Sequence, residues 1–298
     1  MNRARHFVSC LGFAAVIAAA NTLQADIGPN ARDDSRRESR QRAADLIERL
    51  LNETDRSKPS ASLLARYRET CSQATDLLGL HSRMSERISE ALSQAVVRDK
   101  EDAITSIVTL REVLSDVCET LRFEPIMEAE LPRGFPGPTP VQEIELKEYP
   151  GYRMAQTEAA SGGAFWTLFL HIKKNDIAMT SPVEMGYGPV GERRPRQSSM
   201  AFLYGNPELG TTGEMGNVRV VDVPAMTVVS LGMRGPRTPD KLTSARDGLV
   251  DWLDAHGDRF TAAGELRVMG YNSPFVPPNR SYFEVQIPVR EIQQAGSD

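Results

Sequence analysis

The stretch DIAMTSPVEMGY, residues 176–187, combines two methionines, a Thr-Ser-Pro break and a tyrosine around Glu184. Thioethers adapt to irregular cavities, and a tyrosine joins an aromatic body to a hydrogen-bonding tip. Thr180, Met185 and Tyr187 therefore suit the mouth of a ligand site better than bond-making chemistry. A second group lies near the C-terminus: Tyr271 in VMGYNS, then Tyr282 and Glu284 in RSYFEV. A carboxylate in an apolar strand needs solvation or a partner. Arg280 is the partner close in sequence, and a polar or cationic ligand is the alternative. Motifs of catalysis are missing: there is no Gly-x-Ser-x-Gly elbow, no His-Glu-x-x-His and no Gly-rich phosphate loop. Ser181 precedes a proline rather than sitting in a nucleophile turn, and the four histidines form no short metal-ligand cluster. No catalytic residue is assigned, and binding is favoured over enzymatic turnover.

These residues need a scaffold, and the chain from Val141 onward alternates in a β-like manner. VQEIELKEYPGYRMAQTEA reads as two strands around Pro150-Gly151, GGAFWTLFLHIKKN as a helix, and IAMTSPVEMGY and SSMAFLYG as strands. The order returns in NVRVVDVPAMTVVSLGMRG, LTSARDGLVDWLDAHG, LRVMGYNS and YFEVQIPV. The spacing predicts an α+β domain, duplicated and antiparallel, a barrel or strongly curved sheet with two helices and a cleft between its halves. In the first helix Phe165, Leu168, Phe169 and Ile172 form the apolar face, which leaves His171 on the flank, roughly 100° away and toward solvent. In the second, Leu249, Val250, Trp252 and Leu253 face the core, and His256 sits where a helix end bonds its own carbonyls.

The forepart differs in kind. MNRAR, an apolar run and NTLQADIG follow the order of a secretory signal peptide over residues 1–25. The expected location is periplasmic or secreted. Residues 26–42, polar and Arg-rich, read as a flexible leader. Residues 43–122 carry helical apolar spacing, with turns at 58–60 and 98–100, and predict a small bundle available to a protein partner. Cys71 and Cys118 lie in it, where export permits a disulfide. Prolines 125, 132, 136, 138 and 140 make 123–140 a semi-rigid linker, followed by the 141–290 domain and a 291–298 tail. The chain has 35 Lys and Arg against 40 Asp and Glu, net charge −5. That balance argues against nucleic acid as a partner. No later run is long enough to span a membrane once the leader is removed.

DIAMTSPVEMGY resembles the IAMT(A/S)PV signature of the SOUL haem-binding family. ELKEYPGYRMAQTEA is similar to that family's opening strand pair, AFWTLFLHIKKNDIAMTSPV to its first helix and signature strand, and VMGYNSPFVPPNRSYFEVQI to its closing segment. The resemblance covers about residues 141–289 and leaves the helical region outside. It implies a duplicated, barrel-like α+β fold and binding of haem, another tetrapyrrole or another planar hydrophobic molecule. Similar architecture occurs in the gyrase-inhibitor-like effector-binding group. That implies a non-haem, possibly cationic ligand as the alternative, with Glu284 as a remote candidate base. A third reading is a structural or interaction module whose cleft is filled by its own side chains. The expected ligand-binding set is Thr180, Met185, Tyr187, Tyr271, Tyr282 and Glu284. The metal ligand is unassigned, with His171 the candidate for haem iron. Where the family has a basic residue followed by Asn-Glu-Val, this chain has Arg280-Ser-Tyr-Phe-Glu-Val.

Overall fold

In a computed structural model of the protein, the described residues are 29–54, 61–95, 100–158, 163–192 and 194–292. Residues 1–25, read from the sequence as a signal peptide, both bundle turns apart from Lys100, and the end of the tail fall outside them. Among the described residues four helices come first: α1 (Pro29–Glu53), α2 (Ala61–Leu78), α3 (Arg83–Gln94) and α4 (Lys100–Leu121). Their apolar stripes meet in one core built on Ile47, Tyr67, Ile88, Leu110 and Leu114, each at most 1% exposed. Inside it Arg111 donates to Thr54 Oγ1, the Tyr67 hydroxyl and the Leu51 carbonyl at 2.7–2.8 Å, closing the C-terminal end of α1. Cys71 and Cys118 are both buried here as free thiols, and Cys118 donates to the Ala44 carbonyl.

Most of the Arg-rich stretch, expected to be a flexible leader, is helical from Pro29. Its charges find partners beyond the bundle: Arg36 pairs with Glu145, Arg37 with Glu124 and Arg40 with Glu143. Local sequence made this run look solvated; tertiary pairing gives it an address.

The second unit contains β1 (Ile144–Tyr149), β2 (Tyr152–Glu158), α5 (Ala164–Lys174), β3 (Val183–Gly186), β4 (Ser199–Leu203), β5 (Gly213–Met215), β6 (Val218–Val223), β7 (Met226–Arg234), α6 (Pro239–Ala255), β8 (Phe260–Ala262), β9 (Arg267–Gly270) and β10 (Tyr282–Glu291). They form a ten-stranded antiparallel sheet in the order β1-β7-β10-β9-β3-β4-β2-β6-β5, with β8 also on β10. The sheet is curved but stays open. Thr238 caps α6 by accepting from the Lys241 amide, and Pro239 sits at the first helical position, where no backbone donor is needed.

Successive residues of a strand point to opposite faces. Val229 and Leu231 of β7, Val285 and Ile287 of β10, and Val268 of β9 turn toward α6, where Leu242, Ala245 and Leu249 cover them. Alternate positions, among them Ser230, Glu284, Gln286, Arg267 and Met269, turn the other way and make a face rich in buried polar groups. On the other half Leu168 and Ile172 of α5 pack on Ala155, Phe202 and Val220.

The proline-rich stretch does not act as a spacer. Phe135 sets its ring edge-on between Tyr149 and Tyr152, with centroids 4.9 and 5.2 Å away. Thr139 is completely buried, and Val141 forms an isolated bridge with Gly232. Prolines exclude helix but not an extended path across a sheet, so the segment lies against the polar face of the domain that it was expected only to precede.

Candidate functional site

The polar face converges on Glu284, which is 0% exposed. Its Oε1 accepts from the Thr139 amide at 2.7 Å and the Lys147 ammonium at 2.8 Å. The Tyr271 hydroxyl donates to the same oxygen at 3.2 Å, and the Tyr282 hydroxyl lies 3.1 Å from it. Ser230 Oγ, 3.2 Å away, and the Gln286 amide donate to Oε2. Tyr282 also reaches the Thr139 carbonyl, and its one proton serves one acceptor at a time. Burial alone would push the Glu284 carboxyl up; Lys147, the Thr139 amide and Gln286 more than offset this and hold it below the usual carboxylate range. Burial works on Lys147 in the opposite sense, and the charge of Glu284 keeps its ammonium above the usual lysine value. Burial and then the nearby carboxylate drive Tyr271 and Tyr282 well up, so both stay protonated donors.

The network continues along the sheet. Arg267 donates to Gln286 Oε1 at 3.0 Å and to the Tyr152 hydroxyl at 2.9 Å, and Tyr152 in turn donates to Glu184 at 2.8 Å. Arg267 also stacks its guanidinium 5.0 Å from the Tyr149 ring centroid, and its Nη2 is buried without a partner. Every cation here faces a carboxylate or a ring, and each carboxylate is already satisfied.

Gly232 explains how Thr139 comes so close. It sits opposite Glu284 in the β7–β10 register. A Cβ at this position would stand 2.3 Å from the Thr139 carbonyl oxygen and 2.5 Å from that of Pro140. Only glycine leaves room for the segment to lie on the sheet. Just beyond, Gln142 donates its amide to the Gly232 carbonyl at 2.8 Å. Glu143 then enters the forepart: it accepts from Ser82 Oγ at 2.7 Å and the Arg83 amide at 3.0 Å at the start of α3, and pairs with Arg40. A carboxylate at a helix N-terminus meets unpaired amides and a favourable dipole. Residues 139–143 are thus gripped by the sheet on one side and by the bundle on the other.

The six expected ligand residues do not form one site. Tyr271, Tyr282 and Glu284 meet, because they occupy alternate positions on one face. Met185 and Tyr187 point to the opposite face and pack in the core under α6, with Met185 sulfur against Arg237. Thr180 donates its hydroxyl to the Leu203 carbonyl at 2.6 Å, a structural anchor. His171 is buried rather than surface-facing, with Nε2 2.9 Å from the Tyr204 hydroxyl; burial pushes its imidazole below the usual value. The partner of Glu284 is Lys147, not Arg280, which stacks on Phe123. Lys147, Thr139, Phe135 and Arg267 escaped sequence reasoning. An inward lysine in IELKEY was the one available signal.

Comparison with known proteins gives a family model described as SOUL heme-binding protein over residues 138–288. The chain belongs to the SOUL heme-binding protein family. The SOUL match begins at Pro138, so it takes in the segment that lies over Gly232. No curated protein is similar enough to match. Among solved structures, a hydrolase encoded by lin2189 from Listeria innocua is 13% identical, with 50% of this chain and 93% of that chain covered and a TM-score of 0.38. SAV2435 bound to tetraphenylphosphonium is 7% identical, with 50% and 94% covered and a TM-score of 0.33. The EcmrR–DNA complex is 14% identical, with 78% of this chain and 85% of that chain covered and a TM-score of 0.40. With a DNA complex among these structures, the expectation that nucleic acid is excluded is withdrawn, for a reason that lies in the charge argument itself. Net charge describes a whole chain, whereas phosphate contacts depend on local patches, so a net negative charge does not support that exclusion.

Family membership brings haem into question, and the described residues do not fit it. Haem iron takes His, Met, Cys or Tyr, and its ring needs an open apolar cleft. Here His171 is committed to Tyr204, Met185 lies under α6, Tyr271 and Tyr282 serve Glu284, and the segment 135–139 fills the polar face. Among the described residues no group of three or more His, Cys, Asp or Glu is placed to hold a metal, and no helix is long and apolar enough to cross a membrane.

Proposed function

We propose that this is an exported, non-catalytic binding and interaction protein whose SOUL cleft is occupied by its own linker. The observation that carries this reading is the Thr139 amide seated on Glu284, directly over Gly232. Small-molecule binding is the family's role, and in this chain the internal segment stands where a ligand would lie. Lys147 supplies the positive charge that a cationic ligand would otherwise bring. The cleft then works as a socket: it fixes residues 139–143, and these hold the helical forepart through Glu143. The basic-then-apolar order of residues 1–25 supports export. Matching strand pairings, β2 with β4 and β6 and β7 with β10 and β1, support an origin by duplication.

Titration of the mature protein with ferric haem, and separately with tetraphenylphosphonium, tests the socket. The expected result is weak, nonsaturating partition of both. Saturable one-site binding of either, lost when Glu284 is changed to Gln in a protein that remains folded, would show an open cleft and refute the reading.

A further inference from the structure

With the polar face of the sheet covered, a half-open cavity of ligand size lies on the other side of the linker. We infer that the cavity between α1, the end of α4 and the linker is a binding site for a compact hydrophobic anion: an aromatic or alicyclic body carrying one carboxylate or sulfonate. Its volume is about 490 Å³, within the range of small-molecule sites. The inference goes beyond the socket but rests on it in one respect, since residues 138–141 form one wall.

The apolar surface comes from Leu121, Phe123, Met127 and Val141. Arg234 and Arg280 place their guanidinium carbons 5.3 and 5.8 Å from the centroid of the Phe123 ring. Arg234 also pairs with Glu119, while Arg280 lies over the Phe123 ring. Three more guanidiniums, from Arg36, Arg37 and Arg40, line the opening. Arg40 is a fixed wall, its side chain 11% exposed and bound to Glu143. Arg36 and Arg37 differ: their side chains are 59% and 69% exposed, and their carboxylate partners are Glu145 and Glu124. The Arg37–Glu124 pair is exposed on both sides, and such pairs contribute little and are easily re-aimed; Glu145 is only 15% exposed, so Arg36 keeps that partner and meets an entering anion with its remaining N–H groups while the ligand's body covers Phe123 and Met127. A neutral molecule would gain only the apolar contact. A cation would meet the guanidiniums. Glu124 and Glu145 also line the space and disfavour polyanions, which limits the ligand to a single charge.

The test uses 8-anilinonaphthalene-1-sulfonate as the anionic probe and N-phenyl-1-naphthylamine as its neutral counterpart, followed by fluorescence on the full mature chain. One saturable site for the sulfonate is expected, with affinity falling as salt rises. Met127→Trp, at a half-exposed position, fills the space and should abolish binding while circular dichroism stays unchanged. The double variant Arg36→Gln/Arg37→Gln should weaken the sulfonate by about tenfold, the scale of two rim charges, and leave the neutral amine unaffected. Equal affinity for both probes, or sulfonate binding that survives Met127→Trp, overturns the inference. Displacement of the sulfonate by tetraphenylphosphonium would place the probe in the SOUL cleft and overturn both readings; one-site haem binding that leaves the sulfonate in place would overturn the socket alone.

Discussion

Replacing Gly232 by alanine adds one methyl group at the point where the linker presses on the sheet. The new Cβ would fall 2.3 Å from the Thr139 oxygen and 2.5 Å from the Pro140 oxygen, both backbone atoms that no rotamer can move. Real Cβ contacts essentially never fall below 3.0 Å, so the segment must lift by at least about 0.7 Å. A shift of that size, applied to the 2.7 Å bond from the Thr139 amide to Glu284, takes it beyond hydrogen-bond range. Weakening a donor to a buried carboxylate costs about 1–3 kcal/mol, and overpacking adds about 1–3 kcal/mol. A loss of roughly 2–5 kcal/mol is expected, a large part of a typical domain's 5–15 kcal/mol. Urea denaturation measures it. Gly191→Ala is the control, because a Cβ there meets nothing within 4 Å, and its stability should stay within about 0.5 kcal/mol of the parent. If Gly232→Ala matches the control, the linker does not lie where we place it.

Removing the ammonium by Lys147→Met strands a buried carboxylate and should cost about 3–5 kcal/mol. The parent's pH profile follows from the same pair: because the Glu284 carboxyl is depressed when folded, its contribution is complete above about 4.5 and is lost as pH falls through the folded value. In Lys147→Met that acid-side loss should disappear from denaturation curves recorded across pH. His171 has a lowered folded value, so its contribution is present above about 6.5 and is lost as pH falls through that folded value; His171→Gln should flatten this step in stability measured between pH 7 and 5. The Cys71 thiol is pushed up to about 12 by burial, and both cysteines are free. In the chain without residues 1–25, which carry Cys10, Ellman's reagent at pH 8 should therefore leave Cys71 unmodified while folded and find two thiols after denaturation, whereas one or none would indicate a disulfide or other oxidation.

Local periodicity was enough to read the helices and most strands. Leu63, Leu64, Tyr67, Cys71, Ala74, Leu77 and Leu78 recur at helical spacing, and all seven belong to or pack on the bundle core. The signature and closing segments led to the family for the same reason: they are contiguous in sequence. What escaped depends on distant pairing. Lys147 reaches Glu284 because β7 separates β1 from β10 by one strand, a register that no single segment encodes. Thr139 acts through its backbone amide, so its residue type carried little warning. Residues 29–42 hold as many charges as a solvated leader would, yet Arg36, Arg37 and Arg40 each have a glutamate waiting in β1, the linker or the turn between them. His171 lay off the apolar face of α5 by angle alone, but Tyr204 offers a hydroxyl beside the helix, so a polar flank could be buried without loss.

Hydrogen exchange at the Thr139 amide tests the account most directly. Seated on Glu284 in a fully buried position, it should exchange only when the sheet itself opens, in step with the slowest amides of β7 and β10. Exchange near the rate of an unstructured peptide would mean that the cleft is vacant, and the linker would then be a tether, not an internal ligand.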